Sequence, residues 1–325
     1  MITTFLTREW GLRHPILNAS MTPAATGRLA RAVSDAGGLG MLGVNEDWNP
    51  ADLARECAAA REGDPGRRFG IGFIGWALQA NPALLDAAIA ERPFLISISF
   101  VDPAPYAAAI HAAGIRLSAQ VQSRADAELA LAAGVDLLVA QGTEAGGHTG
   151  DVSTLLMLQI ALGLSSVPVI AAGGIATPAG LAAVLAAGAE GAWVGTPFLL
   201  APEASVPDGA RARIAAARET DTVLTSLYDR LQGYPWPERF RGRALRNDFT
   251  GRWHGKEDAA LADPAVAAEF AQAKRDGRYE VANVYAGQSS GLISRGIPAA
   301  EIVASLSTGA EAILRERFGT LLADP

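Results

Sequence analysis

The chain has 325 residues, half of them apolar and 19% charged, enough to bury a large core in one big domain or two ordinary ones and too apolar for extended disorder. A formal net charge of −7 and a pI near 5.2 exclude a polyanion as main partner, because phosphate backbones are bound by clustered Lys and Arg. The segment Met1–Arg8 lacks the apolar core of a signal peptide, and later apolar runs are broken before spanning length, so a soluble cytoplasmic protein without nucleic-acid or membrane partners is expected.

In chain order, apolar segments centred near Leu17, Met41, Ile71, Ile96, Leu117, Leu138, Val169 and Trp193 give eight candidate strands with helical patterns between them. The helices end in a repeated phrase, an alanine-rich run, a glycine stop and an apolar run, at Gly37, Gly114, Gly134 and Gly188. Regular alternation of strand and helix means parallel strands, and eight units within about 200 residues predict a (β/α)8 TIM barrel. The texture changes near Glu203, with more charge and a Gly233-Tyr234-Pro235-Trp236-Pro237 cluster. The predicted organisation is therefore a barrel of residues 1–202 plus 284–325, with a mostly helical insertion after strand 8, residues 203–283, as a lid over the active-site face. The chain then returns through Ala286-Gly287-Gln288-Ser289 into a last helix from about Pro298 to Arg317.

Two constellations could carry chemistry. Val169-Ile170-Ala171-Ala172-Gly173-Gly174-Ile175 runs into Thr177-Pro178, an N-cap and a first helical residue, and the next strand ends in Gly195-Thr196. Glycines there let main-chain N–H groups approach a ligand beside a helix N-terminus, which suits a phosphate. After strand six, Gln141-Gly142-Thr143-Glu144-Ala145-Gly146-Gly147-His148 makes a glycine-rich loop able to lie against a flat ligand, and His148 is its candidate proton-transfer group. Glu144 reads as fixing that loop. His14, His111 and His254 are scattered without the spacing of a metal pair, so no metal site is predicted. The sole cysteine, Cys57, reads as packing, and Schiff-base chemistry is unsupported because the only lysines are Lys256 and Lys274. The aromatics Tyr234, Trp236, Trp253 and Tyr285 read as core of the insertion rather than pocket walls.

These two constellations, together with Pro15–Met21, Ala36-Gly37-Gly38-Leu39-Gly40 and Ala286-Gly287-Gln288-Ser289, resemble the nitronate monooxygenases, formerly 2-nitropropane dioxygenases. Their superfamily also holds FMN-dependent enoyl-acyl-carrier-protein reductases and NADH:quinone reductases. The resemblance implies FMN, with Ser20, Met21 and Thr22 passing under the flavin, Gln120 and Gln141 contacting it, and Gly146 lining its ring. Gly173, Gly174, Gly195 and Thr196 would hold the phosphate. His148 matches the active-site histidine, as base or as electrostatic partner of an anionic substrate. The implied reaction is oxidation of an alkyl nitronate by dioxygen to a carbonyl compound and nitrite, the alternative an FMN-dependent NAD(P)H reductase of an enoyl thioester or quinone. A homodimer is compatible with this reading, which leaves the oligomeric state open. Two positions depart from the family pattern: Gly72 lacks a side chain that would reach the flavin, and Thr149 stands where an arginine commonly follows the histidine.

Overall fold

Residues 1–321 are described by a computed structural model, in which the eight expected strands are present at the expected places. They are β1 (Ile16–Asn18), β2 (Gly40–Gly43), β3 (Phe69–Ile74), β4 (Leu95–Ser99), β5 (Arg116–Val121), β6 (Leu137–Gln141), β8 (Val169–Ala172) and β9 (Ala192–Val194). All pair in parallel in the order β1-β9-β8-β6-β5-β4-β3-β2, and a parallel bridge between Leu17 and Leu39 brings the two ends together into a TIM barrel. The predicted glycine stops take positive φ, from 72° at Gly114 to 106° at Gly188, and release the chain into the next strand.

The strands read as continuous apolar runs because both faces are buried. In β6, Leu137 and Val139 point into the barrel with Leu17, Met41, Ile170 and Trp193, while Leu138 and Ala140 face the surrounding helices. Leu6, Trp10 and Leu12 plug the N-terminal end. The last helix, Ala299–Leu321, closes the outer ring against Pro178–Ala186; Gly309 is needed there, since a Cβ would lie 2.7 Å from Pro178. Among the described residues no helix is long and apolar enough to cross a membrane.

Helices dominate the segment after β9, including Asp208–Ala216, Leu227–Gln232 and Pro264–Asp276, with a core of Leu227, Tyr228, Phe249, Val266 and Phe270. The segment also carries two strands that sequence reading did not resolve, β10 (Thr222–Thr225) and β11 (Arg241–Leu245). They form an antiparallel sheet with β7 (Gly147–Thr149), the end of the glycine-rich loop after β6. The insertion is thus stitched by main-chain hydrogen bonds to the loop that carries His148.

Candidate active site

The site is built at the C-terminal ends of β6, β8 and β9, where four loops converge. Glu144 accepts hydrogen bonds from the Thr154 amide, at 2.9 and 3.1 Å, and from its hydroxyl at 2.9 Å. The carboxylate thereby ties the glycine-rich loop to the first turn of the helix Thr154–Leu164, the structural role expected of it. Gly173 and Gly174 follow β8 with φ of 100° and 72°, a left-handed pair that turns the main chain outward. Thr177 caps the next helix by accepting from Gly180 N–H at 3.2 Å, with Pro178 at its first position. Thr196 accepts from Gly287 N–H at 3.0 Å, and Gln288 N–H donates to Glu144 O at 3.0 Å. Gly146 permits this convergence, because a Cβ there would stand 2.5 Å from Ala286 C and Gly287 N. Among the described residues the amides of Gly174 and Gly195 have no hydrogen-bond acceptor, whereas the register of Ala172 opposite Trp193 draws the Gly173 N–H into the ladder with β9. Unpaired N–H groups grouped beside a capped helix fit a phosphate.

Ser20, Met21 and Thr22 lie beside this cradle, all half-buried, on the loop that leaves β1. Gly43 admits the loop, since its Cβ would be 2.7 Å from Met21 C. A Cβ on Gly72 would fall 2.0 Å from Ser20 Oγ. The side chain missing at Gly72 is therefore replaced in space by the serine. Gln120 accepts from Ser99 Oγ at 3.2 Å and is half-buried. Gln141 is more committed: its Oε1 accepts from Gln122 at 2.8 Å and its Nε2 donates to His148 O at 3.1 Å. Its side chain positions the histidine loop from below.

His148 sits on β7 opposite Gly242 of β11. Its Nε2 lies 2.9 Å from Asp229 Oδ2, and the two side chains are 11% and 4% exposed. The other carboxylate oxygen accepts from Tyr285 OH at 3.3 Å. Burial and the neighbouring Asp229 carboxylate push the Tyr285 hydroxyl well above the ordinary tyrosine range, so it stays a donor. Trp236 stacks on the imidazole at 3.5 Å between centroids and 6° between planes. Phe100, with φ of 70°, sets its ring edge-on to Trp236 and Phe240, both at 5.0 Å. Arg239, bound to Asp126 at 2.7 Å, fastens this aromatic strap to the barrel. Reading the aromatics as insertion core is right for Trp253 and wrong for Trp236 and Tyr234. Tyr285 belongs to both. Tyr234 packs on Trp76 and donates to Glu46 at 2.7 Å. Asp229 and Phe100 were missed by sequence reading, and Trp236 was read as core; the Tyr-Pro-Trp-Pro cluster, too rigid for an ordinary helix connection, was the available hint.

Thr149, at the second departure, is fully buried and donates to Gly142 O at 3.1 Å. A guanidinium still reaches the loop, from another strand: Arg243 of β11 donates through Nε to Thr143 O at 2.8 Å.

A family model described as nitronate monooxygenase matches residues 79–309. The chain belongs to the nitronate monooxygenase family. A relative named nitronate monooxygenase from Paraburkholderia phytofirmans is 32% identical, over 91% of this chain and 92% of its own length. Among solved structures, FabK from Thermotoga maritima superposes with a TM-score of 0.86 at 30% identity, covering 98% of this chain and all of that one. A nitroalkane oxidase from Streptomyces ansochromogenes gives 0.80 at 26% identity, over 94% of this chain and 98% of that one. Nitronate monooxygenases are oxidoreductases of a flavin enzyme family that act on small molecules. The cradle and the half-buried loops of this chain fit a phosphate-bearing flat ring of that kind.

Proposed function

We propose that the chain binds FMN and oxidises alkyl nitronates with dioxygen to a carbonyl compound and nitrite. The observation that carries this reading is a nearly buried imidazole, anchored to Asp229 and walled by Trp236 and Phe100, beside a glycine cradle suited to phosphate. Gly173, Gly174, Gly195 and Thr196 would hold the phosphate of FMN, Ser20, Met21 and Thr22 would underlie the ring, and Gly146 and Gln120 would line it. Gln141 would act through the His148 loop. When bound, FMN supplies the electron acceptor and the centre at which dioxygen is reduced.

The chain's own share is binding, orientation and exclusion of water. His148 offers an anionic nitronate a hydrogen-bond donor when protonated, and offers a neutral nitroalkane a base when neutral. The aromatic walls lower the local dielectric and strengthen that interaction. Residues 203–283 act as the lid of a barrel made of residues 1–202 and 284–325, in a protein working in the cytoplasm. The relatives named nitronate monooxygenase, matched over nearly their whole length, support this reaction. The likeness to FabK supports a second reading, an FMN-dependent NAD(P)H reductase of an enoyl thioester or quinone. Incubating the FMN-loaded protein with propyl-2-nitronate in air separates them: the first predicts acetone and nitrite in equal amounts, and their absence together with rapid NADH or NADPH oxidation supports the second.

A further inference from the structure

We infer that Asp229 is the positioning residue of His148, fixing the imidazole with its proton on Nε2 and leaving Nδ1 as the nitrogen that meets the substrate. An ionised carboxylate only accepts hydrogen bonds, so a ring nitrogen 2.9 Å from Asp229 Oδ2 must carry the proton. The opposite tautomer would face a lone pair with a carboxylate oxygen in a nearly dry site. Rotation of the ring is restrained by Trp236, stacked flat on it. The carboxylate is itself held from behind, since Oδ1 accepts from Tyr285 OH. Among the described residues no Lys or Arg makes an ion pair with Asp229, so His148 is the one basic side chain paired with it.

The three residues come from distant parts of the chain. His148 lies on β7, Asp229 on the helix Leu227–Gln232, and Tyr285 on the returning segment bridged to Ala244 of β11. The insertion therefore supplies the element that sets the histidine's chemistry as well as a cover for it. If Nδ1 takes a proton from the α-carbon of a nitroalkane, the C–H electron pair becomes part of the C=N bond of the nitronate. The resulting imidazolium is balanced by Asp229 at its other nitrogen.

The inference rests on the reading that His148 serves the reaction, and the test separates the two. The four histidines make the FMN-loaded, 15N-histidine-labelled protein tractable by two-bond nitrogen–proton NMR, with His148→Gln identifying the resonance. The neutral His148 ring should show the proton on Nε2 in the parent and a mixture of tautomers in Asp229→Asn. The kcat for 2-nitropropane, the neutral substrate from which Nδ1 takes the proton, should fall about 100-fold or more, towards the roughly 10,000-fold loss seen when a carboxylate orienting a catalytic histidine is neutralised, with KM changed far less. Tyr285→Phe, which keeps the carboxylate, should retain the Nε2 tautomer. An Nδ1-protonated ring in the parent overturns the inference, as does an unchanged tautomer and kcat in Asp229→Asn. Full activity in His148→Gln instead removes His148 from the proposed reaction, while the NMR result still decides the positioning.

Discussion

Replacing Gly146 with alanine probes the point where the glycine-rich loop meets the returning segment. The new Cβ would stand 2.5 Å from Ala286 C and Gly287 N, against ordinary contact beginning near 3.4 Å. Both neighbours are main chain, and both are pinned, Gly287 to Thr196 Oγ1 and Gln288 to Glu144 O. No side-chain rotation relieves the overlap, so the segments must part by about an ångström, an overpacking that costs about 1–3 kcal/mol. Unfolding entropy of about 2.1 cal/mol/K per residue gives this 325-residue chain about 0.7 kcal/mol/K. The melting temperature of the apoprotein, followed by circular dichroism, should therefore fall by about 1.5–4.5 °C. Gly147→Ala is the control, because Gly147 has φ of 70° but nothing within 4 Å of its Cβ. It should lose only the left-handed penalty, about 1–2 kcal/mol. FMN affinity, read by quenching of flavin fluorescence, should drop much more in Gly146→Ala than in Gly147→Ala. A Gly146→Ala protein that melts with the parent and keeps its FMN affinity would refute the convergence of the two segments.

Three further outcomes are expected. Thr177→Ala removes the N-cap bond to Gly180 and should cost about 1 kcal/mol, with weaker binding of FMN, measured by titration, if that helix end faces the phosphate. Arg239→Ala breaks an ion pair with Asp126 in which the guanidinium is 54% exposed and the carboxylate 12%, worth about 1 kcal/mol, so melting should change little while limited proteolysis near Trp236 speeds up. Burial pushes the Cys57 thiol from 9.0 to about 12, so thiol reagents at pH 8 should label it only on unfolding, monitored by mass spectrometry. Because the folded value is the raised one, its contribution to stability is intact below pH 9 and declines as pH climbs towards 12, as urea titrations across that range would show.

The barrel was legible because its signals are local. Each strand is a short apolar run, and β2, β5, β6 and β9 each follow directly on a helix and its glycine stop at Gly37, Gly114, Gly134 and Gly188. The cradle was legible for the same reason: Gly173, Gly174, Thr177 and Pro178 are neighbours in sequence, and their conformations follow from residue type. Half of the histidine's surroundings were not. Asp229 lies 81 residues from His148 and reads as an ordinary polar helix residue. It reaches the imidazole because β11 pairs with β7, and neither strand announces itself: β7 is Gly-His-Thr, and β11 alternates arginines with small residues. Trp236 looked like packing material because a tryptophan buries much area wherever it sits, and only the fold shows that its neighbour is an imidazole.

The central claim, a flavin site that takes electrons from a nitronate, is tested most directly by an anaerobic absorbance titration of the FMN-loaded protein. Propyl-2-nitronate should change the flavin spectrum within the turnover time, while NADH and NADPH leave it oxidised for minutes. Rapid bleaching by NADH or NADPH with no response to nitronate would contradict the account, and failure of the protein to bind FMN would contradict its cofactor site as well.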